Sequence, residues 1–311
     1  MRQTLFQESV HTLYDNGFSL ETFFDSNGSF DIIARKEGLI LLIKVLHNID
    51  ALRPEHAEDL KKLARAFTAH PVIIGERSKI FQLQKEILYE RYALPVLSID
   101  GFKLLLDTHL PVARAFKGQH VVELDGNRLR AEREARAFTL KTLSEKAAIS
   151  LESLHRYEKG HPADLDTAKR LESILSTSLI RGINVFEETD YTSSPPEEET
   201  PENEALAQLR ELGLKLSVFK RAPLTAAGIE EHHLLISHAE TKPAAKKKAF
   251  LLTKTQRIVD HPGFLLSPLS QDEVEDVPVV NVDELSTFSG ARDILHTINE
   301  RHHDLRRKKN E

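Results

Sequence analysis

The stretch that decides the fold runs from Gly126 to Gly160 and reads GNRLRAEREARAFTLKTLSEKAAISLESLHRYEKG. Its apolar residues recur at helical spacing in three short runs. Thr139 and Ser150 precede the second and third runs as candidate N-caps, and Gly160 is placed to end the third helix. The small pair Ala148-Ile149 suits the tight turn between two helices that cross closely. We therefore predict a first helix over 127–137, two further helices capped by Thr139 and Ser150, and a fourth over 166–175.

This stretch resembles the lambda-repressor/Cro family of helix-turn-helix domains over about 60 residues. Two positions depart from that family's pattern, because Leu140 replaces the usual Gln and Phe138 replaces a common Gly. The matching residues are Leu129-Arg130 with Arg133, Thr139, Leu143-Ser144, Ile149-Ser150, and Tyr157-Glu158 with Gly160.

The resemblance implies that the third helix enters the major groove of DNA and that the second helix points its N-terminus at phosphate. It implies base contacts by Leu151, Glu152, His155 and Arg156, since Glu accepts from cytosine and Arg reaches guanine. The predicted DNA-contacting set is Arg130, Lys141, Ser150, Leu151, Glu152, Ser153, His155, Arg156 and Lys159, with Arg130, Lys141 and Lys159 on phosphates. The alternative is that these helices form only a packing module.

Composition narrows the function classes. The chain has 311 residues, enough for two or three domains, and a formal net charge of −6, so any DNA-binding charge must be local. With no cysteine, a disulfide framework, a thiolate zinc site and a cysteine nucleophile are all excluded. No apolar run approaches the ~20 residues that span a bilayer. We expect a cytoplasmic protein that holds no metal or cofactor.

Two segments divide the chain into blocks. Residues 188–203 are acidic and rich in Pro, and we predict a flexible linker there. A weaker joint lies at 115–120. The predicted layout is an α/β domain over 1–117, an all-α helix-turn-helix domain over 118–187, the linker, and a second α/β domain over 204–311.

The first block alternates between predicted helices and strands. The run Leu39–Leu46 is apolar on both faces, which suits a central strand covered by helices. The other predicted helices are 2–15, 54–69, 79–91 and 100–106, and the other predicted strands are 18–24, 30–35, 71–75 and 94–99.

The last block repeats phrases of the first. Residues 94–100, LPVLSID, resemble 277–283, VPVVNVD, and residues 15–21 resemble 211–217. Residues 234–237, 249–253 and 263–267 look like strands. A diverged duplication explains this pattern, and so does the general similarity of strand-turn phrases among α/β domains.

Asp31 followed by Leu42-Ile43-Lys44 resembles the PD-(D/E)xK nuclease core, with Glu8 on the first helix as a further acid. In that core two acids hold a divalent metal and the lysine orients the attacking water. Leu42 stands where the second acid is expected, and a leucine cannot ligate Mg²⁺. The resemblance implies a degenerate domain, and a generic α/β domain in which Asp31 ends a strand remains open.

As a whole, the chain resembles a family of archaeal transcriptional regulators with a central repressor-like helix-turn-helix, and residues 30–35, 41–50 and 126–160 carry that resemblance. The resemblance implies a non-enzymatic regulator that binds double-stranded DNA and responds to an unknown effector. Because one helical unit covers a short half-site, we expect a homodimer in contact through the α/β domains. The alternative is a metal-dependent nuclease that uses Asp31 and Lys44.

Two other features carry less weight. The pairs His232-His233 and His302-His303 are adjacent, so neither pair clamps a metal by itself, and we predict surface positions. The basic clusters Lys246–Lys248 and Arg306–Lys309 are predicted to lie in a loop and on a C-terminal tail.

Overall fold

The computed structural model describes residues 1–24, 28–116, 118–186, 203–228 and 233–310. Helices and strands alternate along these residues, so the fold class is mixed α/β, as predicted. The chain divides into two compact units. The first unit comprises Met1–Ser9, Leu46–Ala51 and Ile73–Thr189, and the second comprises Val10–Val45, Leu52–Val72 and Asp190–Glu311.

Three elements are shared between the units because the division passes through them. They are helix α1 (Arg2–Asp15) and strands β3 (Leu39–Asn48) and β4 (His70–Arg77).

In the first unit the strands follow the order β4-β6-β5-β7-β8-β9. Strand β6 is parallel to β4 and antiparallel to β5, β5 is parallel to β7, and the last three strands are antiparallel. The strands are β5 (Ile87–Arg91), β6 (Leu94–Ser98), β7 (Ala113–Phe116), β8 (Gln119–Val122) and β9 (Ala163–Asp164). The helices are α3 (Ile99–Leu106), α4 (Gly126–Ala135), α5 (Leu140–Ala147), α6 (Leu151–Glu158) and α7 (Leu165–Leu175).

In the second unit β1 (Ser19–Thr22), β2 (Ile32–Lys36) and β3 form an antiparallel series. A separate sheet has the order β10-β11-β12-β13-β15-β14, in which β12, β13 and β15 are parallel and the outer strands are antiparallel. Its strands are β10 (Leu216–Val218), β11 (Ala226–Gly228), β12 (Leu235–His238), β13 (Gly263–Ser267), β14 (Glu273–Val274) and β15 (Val277–Asn281). The helices are α2 (Pro54–Phe67), α8 (Glu204–Glu211), α9 (Lys242–Val259) and α10 (Ala291–Asn310).

Strand β3 is the buried strand that its sequence predicts. Residues 40–46 are all buried, including the lysine among them. Ile43 pairs with Ile32 of β2 in antiparallel register. A strand covered on both faces needs this continuous apolar run rather than an alternating pattern.

The predicted helix over 79–91 is wrong. Residues 79–86 contain no helix, and residues 87–91 form β5. Tyr92 and Ala93, with φ values of 53° and 58°, turn the chain directly from β5 into β6. A two-residue turn with two positive φ values ordinarily uses Asn or Gly, so Tyr92 and Ala93 do not mark this hairpin in the sequence. The apolar residues of 87–89 are buried in the sheet instead of forming a helical stripe.

The strand-like segment 249–253 is also wrong, since it lies inside α9. The buried positions Ala245, Ala249, Leu252 and Thr255 recur at intervals of three and four residues, which is the helical period. Two smaller predictions are also wrong. Lys246–Lys248 lie in α9 and not in a loop, and residues 306–309 lie in α10 and not on a tail.

Of the two predicted segment boundaries, one lies at a hairpin and the other lies mostly outside the described residues. The joint at 115–120 lies at the hairpin between β7 and β8, where Gly118 has a φ of 79°. Most of the linker at 188–203 lies outside the described residues, as do residues 25–27 between the predicted strands 18–24 and 30–35. The domain boundaries therefore stay predictions.

Three histidines of the second unit predict a pH dependence of stability. Burial, as the largest cause, lowers the pKa of His56, His238 and His261 below the usual 6.5. Between 6.5 and these lowered values the unfolded chain binds more protons than the folded chain, so stability falls with falling pH. We expect urea unfolding to show a decreasing free energy of unfolding below pH 6.5. His261→Gln should flatten that decrease and the matched exposed variant His11→Gln should not; equal slopes for both would contradict the assignment.

Candidate nucleic-acid interface

Helices α4 to α7 form one packed group. Helix α6 contacts both α4 and α5, and α5 contacts α7. The apolar residues between them are fully buried, namely Leu129, Leu143, Ala147, Leu154, Ala168, Leu171 and Leu175. The four helices thus cover their apolar faces with one another.

Side-chain caps fix where α5 and α6 begin. The Thr139 hydroxyl accepts from the Thr142 N–H at 3.0 Å, and the Ser150 hydroxyl accepts from the Ser153 N–H at 3.0 Å. Between the helices Ala148 adopts a left-handed conformation with φ 51°, and its N–H bonds back to α5. The caps and the turn therefore lie at the residues where the sequence predicts them.

A buried ion pair connects α4 to the end of α6. Arg133 donates from Nε to Glu158 Oε1 at 2.5 Å and from a terminal nitrogen to Glu158 Oε2 at 3.2 Å. The two side chains are only 10% and 9% exposed. The third guanidinium nitrogen donates to the Phe138 carbonyl at 3.0 Å. The hydrogen bond to Glu158 raises the pKa of Arg133, so the arginine stays charged.

This ion pair positions α6 against α4, and the sequence analysis did not predict it. Arg133 and Glu158 both belong to the matched repressor-like pattern, but their spacing of 25 residues does not show that they meet. Close backbone packing accompanies the pair, because a Cβ on Gly126 would lie 2.6 Å from the carbonyl oxygens of Tyr157 and Glu158. The orientation of α6 is therefore fixed at its C-terminal end.

The predicted base-contacting residues lie on the exposed face of α6. Glu152, His155, Arg156 and Lys159 are exposed and follow the i, i+3, i+4, i+7 spacing of one helical face. Leu151 is 50% exposed at the start of the same helix. Ser153 is half-buried and accepts from the Ser150 hydroxyl, and Ser150 itself acts as the cap, so both serve the helix terminus.

The predicted phosphate-contacting residues are also exposed. Lys141 lies in the first turn of α5 and Lys159 directly after α6. Arg130 is exposed, but its guanidinium is paired with Glu134 at 2.9 Å across one turn of α4. Arg156 lines a cavity of about 670 Å³ together with Arg114 and Phe116, so its side chain lies at the edge of the exposed face.

The nuclease-like pair of the sequence analysis is buried in the second unit. Lys44 Nζ lies 3.2 Å from Asp31 Oδ1 and donates to the Gly28 carbonyl at 2.6 Å. The other carboxylate oxygen accepts from the Val45 N–H at 2.8 Å. Asp31 and Leu42 have no exposed surface and Lys44 only 3%.

Comparisons with known proteins decide the family. The chain is 30% identical to a protein of Archaeoglobus fulgidus named "Putative HTH-type transcriptional regulatory protein", over 97% of this chain and 99% of the relative. Proteins of the same description from Pyrococcus furiosus and Methanocaldococcus jannaschii are 34% and 28% identical, over 93% and 99% of their lengths. The chain belongs to this archaeal family of HTH-type regulatory proteins. A family model described as a PD-(D/E)XK superfamily domain matches residues 2–111.

A divalent metal, as the PD-(D/E)XK description implies, does not fit the residues of this family member. Asp31 uses both carboxylate oxygens within the protein, and its neighbour at the second acid position is the buried Leu42. Glu8 is engaged by Lys103 at 2.5 Å. Among the residues that the structure describes, no group of three or more His, Cys, Asp or Glu is placed to hold a metal ion.

Two of the histidines predicted at the surface, His233 and His302, contact neighbouring groups of the second unit. The His233 ring stacks on His261 with centroids 4.7 Å apart, and a ring nitrogen of His302 lies 2.9 Å from the Gly263 carbonyl. His232 lies outside the described residues. Over the described part of the chain, no helix has both the length and the apolar character to cross a membrane.

Proposed function

We propose that this regulator binds double-stranded DNA sequence-specifically through α5 and α6 of a helix-turn-helix domain over 118–187. The observation that carries the proposal is the exposed face of α6, which is held in place by the buried Arg133–Glu158 pair. Its relatives are named HTH-type transcriptional regulatory proteins, which supports the same function.

The exposed residues divide into two roles. Leu151, Glu152, His155 and Arg156 contact base edges in the major groove, because all four are exposed on the first two turns of α6. Lys141, Lys159 and Arg130 contact phosphates, which strengthens binding without selecting sequence. Ser150 and Ser153 hold the first turn of α6 against the DNA. Arg130 must leave its exposed pair with Glu134, a change that costs little.

The proposed layout keeps α/β domains over 1–117 and 204–311, with the linker at 188–203. Two chains pair through these α/β domains, because a single helical unit reads only a short half-site. The dimer then reads a palindrome. No cofactor takes part, the regulator acts in the cytoplasm, and an effector of unknown identity sets its activity.

The decisive experiment is recovery of genomic fragments on the purified full chain, with Lys141→Ala/Arg156→Ala in parallel. We expect a few shared palindromic sites that the variant fails to recover, because both a phosphate contact and a base contact are removed. The matched control is Lys79→Ala/Lys85→Ala, which removes two exposed positive charges from a loop of the same unit. Equal, sequence-independent recovery of DNA by all three proteins would contradict sequence-specific binding. A monomeric mass by light scattering would contradict the proposed dimer.

The family-model match at residues 2–111 favours one second candidate, a metal-dependent DNA nuclease directed by the helices. Incubating the recovered duplex with Mg²⁺ or Mn²⁺ distinguishes the two. Cleavage that Lys44→Ala abolishes, with folding verified by circular dichroism, would support the nuclease.

A further inference from the structure

The order of elements is the same at the two ends of the chain. Apart from the short 3-10 helices Ile49–Ala51 and Asp283–Thr287, residues 2–106 run through one helix, three strands, a helix, three strands and a helix, as α1, β1–β3, α2, β4–β6 and α3. Residues 204–310 repeat that series as α8, β10–β12, α9, β13–β15 and α10.

Strand pairing repeats as well. The first three strands of each series are antiparallel neighbours, β1-β2-β3 and β10-β11-β12. The fourth strand of each is parallel to the sixth, and the sixth is antiparallel to the fifth. Generic α/β domains share strand-turn phrases but not this complete set of neighbours and directions.

Three hydrogen bonds of the first series have counterparts in the second, and they align the two series residue by residue. The Asp31 N–H donates to the Ile43 carbonyl at 2.8 Å, and the Thr225 N–H donates to the Ile236 carbonyl at 2.9 Å. The Phe23 N–H donates to the Asp31 carbonyl at 2.7 Å, and the Phe219 N–H donates to the Thr225 carbonyl at 3.0 Å.

The third bond involves the side chains themselves. The Val45 N–H donates to Asp31 Oδ2 at 2.8 Å, and the His238 N–H donates to Thr225 Oγ1 at 2.9 Å. Thr225 therefore occupies the place of Asp31. Counting along the paired strands puts Ser237 at the place of Lys44 and Leu235 at the place of Leu42.

We propose that residues 204–310 are a second copy of the PD-(D/E)XK-type fold and that both copies have lost the divalent-metal centre. In each copy the ammonium group of a lysine occupies the place of the metal. Lys44 contacts Asp31 in the first copy, and Lys248 contacts Thr225 in the second. The proposal is independent of DNA binding by the central helices.

The second site differs from the first in where its lysine comes from. Lys248 reaches in from α9 and donates to Thr225 Oγ1 at 3.1 Å and to the His238 carbonyl at 2.7 Å. Ser237 is fully buried, and among the residues that the structure describes its hydroxyl has no hydrogen-bond partner. Burial lowers the pKa of Lys248, as expected for an ammonium whose bonds reach only neutral oxygens.

Neither set of donors suits a divalent cation. Mg²⁺ and Mn²⁺ need several oxygen ligands, usually including carboxylates. The first site has one carboxylate already paired with an ammonium, and the second has an ammonium and the hydroxyls of Thr225 and Ser237. Leu42 and Leu235 are both buried at the position of the missing acid, with 0% and 1% of their surface exposed.

Within the second unit, the helix that follows the third strand of each copy also contacts strands of the other copy. Helix α2 of the first copy contacts β11 of the second, and α9 of the second contacts β1 and β2 of the first. Asp59 of α2 accepts from the Lys220 N–H at 2.9 Å, and Lys254 of α9 pairs with Glu21 at 3.4 Å. Such reciprocal contacts are those of an isologous dimer, here within one chain.

The test uses the full chain with Lys44→Ser, which copies Ser237, and compares Asp31→Thr with Asp31→Val in that background. Both double variants lack the buried charges and have nearly the same shape, so both should fold. If position 31 corresponds to Thr225, the threonine hydroxyl accepts from the Val45 N–H and valine cannot. We expect the threonine variant to unfold about 2–4 °C higher. An equal or higher midpoint for valine would overturn the equivalence.

Manganese titration of the wild-type chain, followed by electron paramagnetic resonance of free Mn²⁺, tests the loss of the metal centre. We expect no bound equivalent. One bound equivalent per chain that Asp31→Asn removes would overturn the claim for the first copy, and one that Thr225→Val removes would overturn it for the second.

Discussion

Asp31→Ala is expected to lower the free energy of unfolding by about 3–5 kcal/mol, which is the usual cost of removing one partner of a buried ion pair. The substitution removes the carboxylate that pairs with the Lys44 ammonium, whose side chain is 4% exposed and also donates to the Gly28 carbonyl at 2.6 Å. It also removes the acceptor of the Val45 N–H in the middle of the sheet. Urea unfolding monitored by circular dichroism measures the loss.

Two variants show whether the buried charge is the cause. Asp31→Ala/Lys44→Met removes both charges and should recover a large part of the stability, because an apolar pair of similar volume needs no desolvation. Glu134→Ala breaks the Arg130 pair, whose side chains are 66% and 52% exposed, and should cost less than about 1 kcal/mol. Equal losses in Asp31→Ala and Glu134→Ala would contradict the argument.

The sequence predicted those parts of the fold that depend on local signals. Thr139 and Ser150 cap their helices because a hydroxyl at that position satisfies a free N–H. The apolar run of β3 predicted a strand buried on both faces, and Pro54 predicted the start of α2. These features need no information from distant residues.

The failures share a physical cause, which is that tertiary contacts decided the local structure. Residues 87–91 pair with strands on both sides, and this pairing outweighs their helical pattern. Residues 249–253 are apolar enough for a strand, but they continue a helix that begins before them and ends only at Val259. The turn at Tyr92 and Ala93 lacks the residues that ordinarily mark it.

The candidate interface was predictable as a set of exposed residues but not as a geometry. The repressor-like pattern placed Glu152, His155 and Arg156 on one helix, and the structure leaves them exposed. It did not reveal that Arg133 and Glu158 hold that helix, because residues 25 apart meet only in the folded chain. The same limit applies to Lys248. As part of a basic run it was expected in solvent, and its contact with Thr225, 23 residues away, forms only in the folded chain.

Glu158→Ala is expected to lower affinity for a recovered operator by tenfold or more, a factor that corresponds to about 1.4 kcal/mol. Glu158 need not touch DNA for this effect. Its loss leaves the Arg133 guanidinium, 10% exposed, without its main partner, and frees the C-terminal end of α6. The cost of an uncompensated buried charge is about 3 kcal/mol, more than the expected penalty. Fluorescence anisotropy with labelled operator measures the affinity.

The control separates a positioning residue from a DNA contact. Glu134→Ala removes a carboxylate of the same charge that also touches Arg133, at 3.3 Å, but from an exposed position. It should leave operator affinity unchanged within about twofold, since exposed pairs contribute little. Arg133→Met/Glu158→Leu should then recover thermal stability and part of the affinity, because the packing of α4 on α6 is restored without buried charge. Full affinity in Glu158→Ala would mean that α6 is held by its apolar contacts alone, and that the buried pair contributes only to the stability of the helical group.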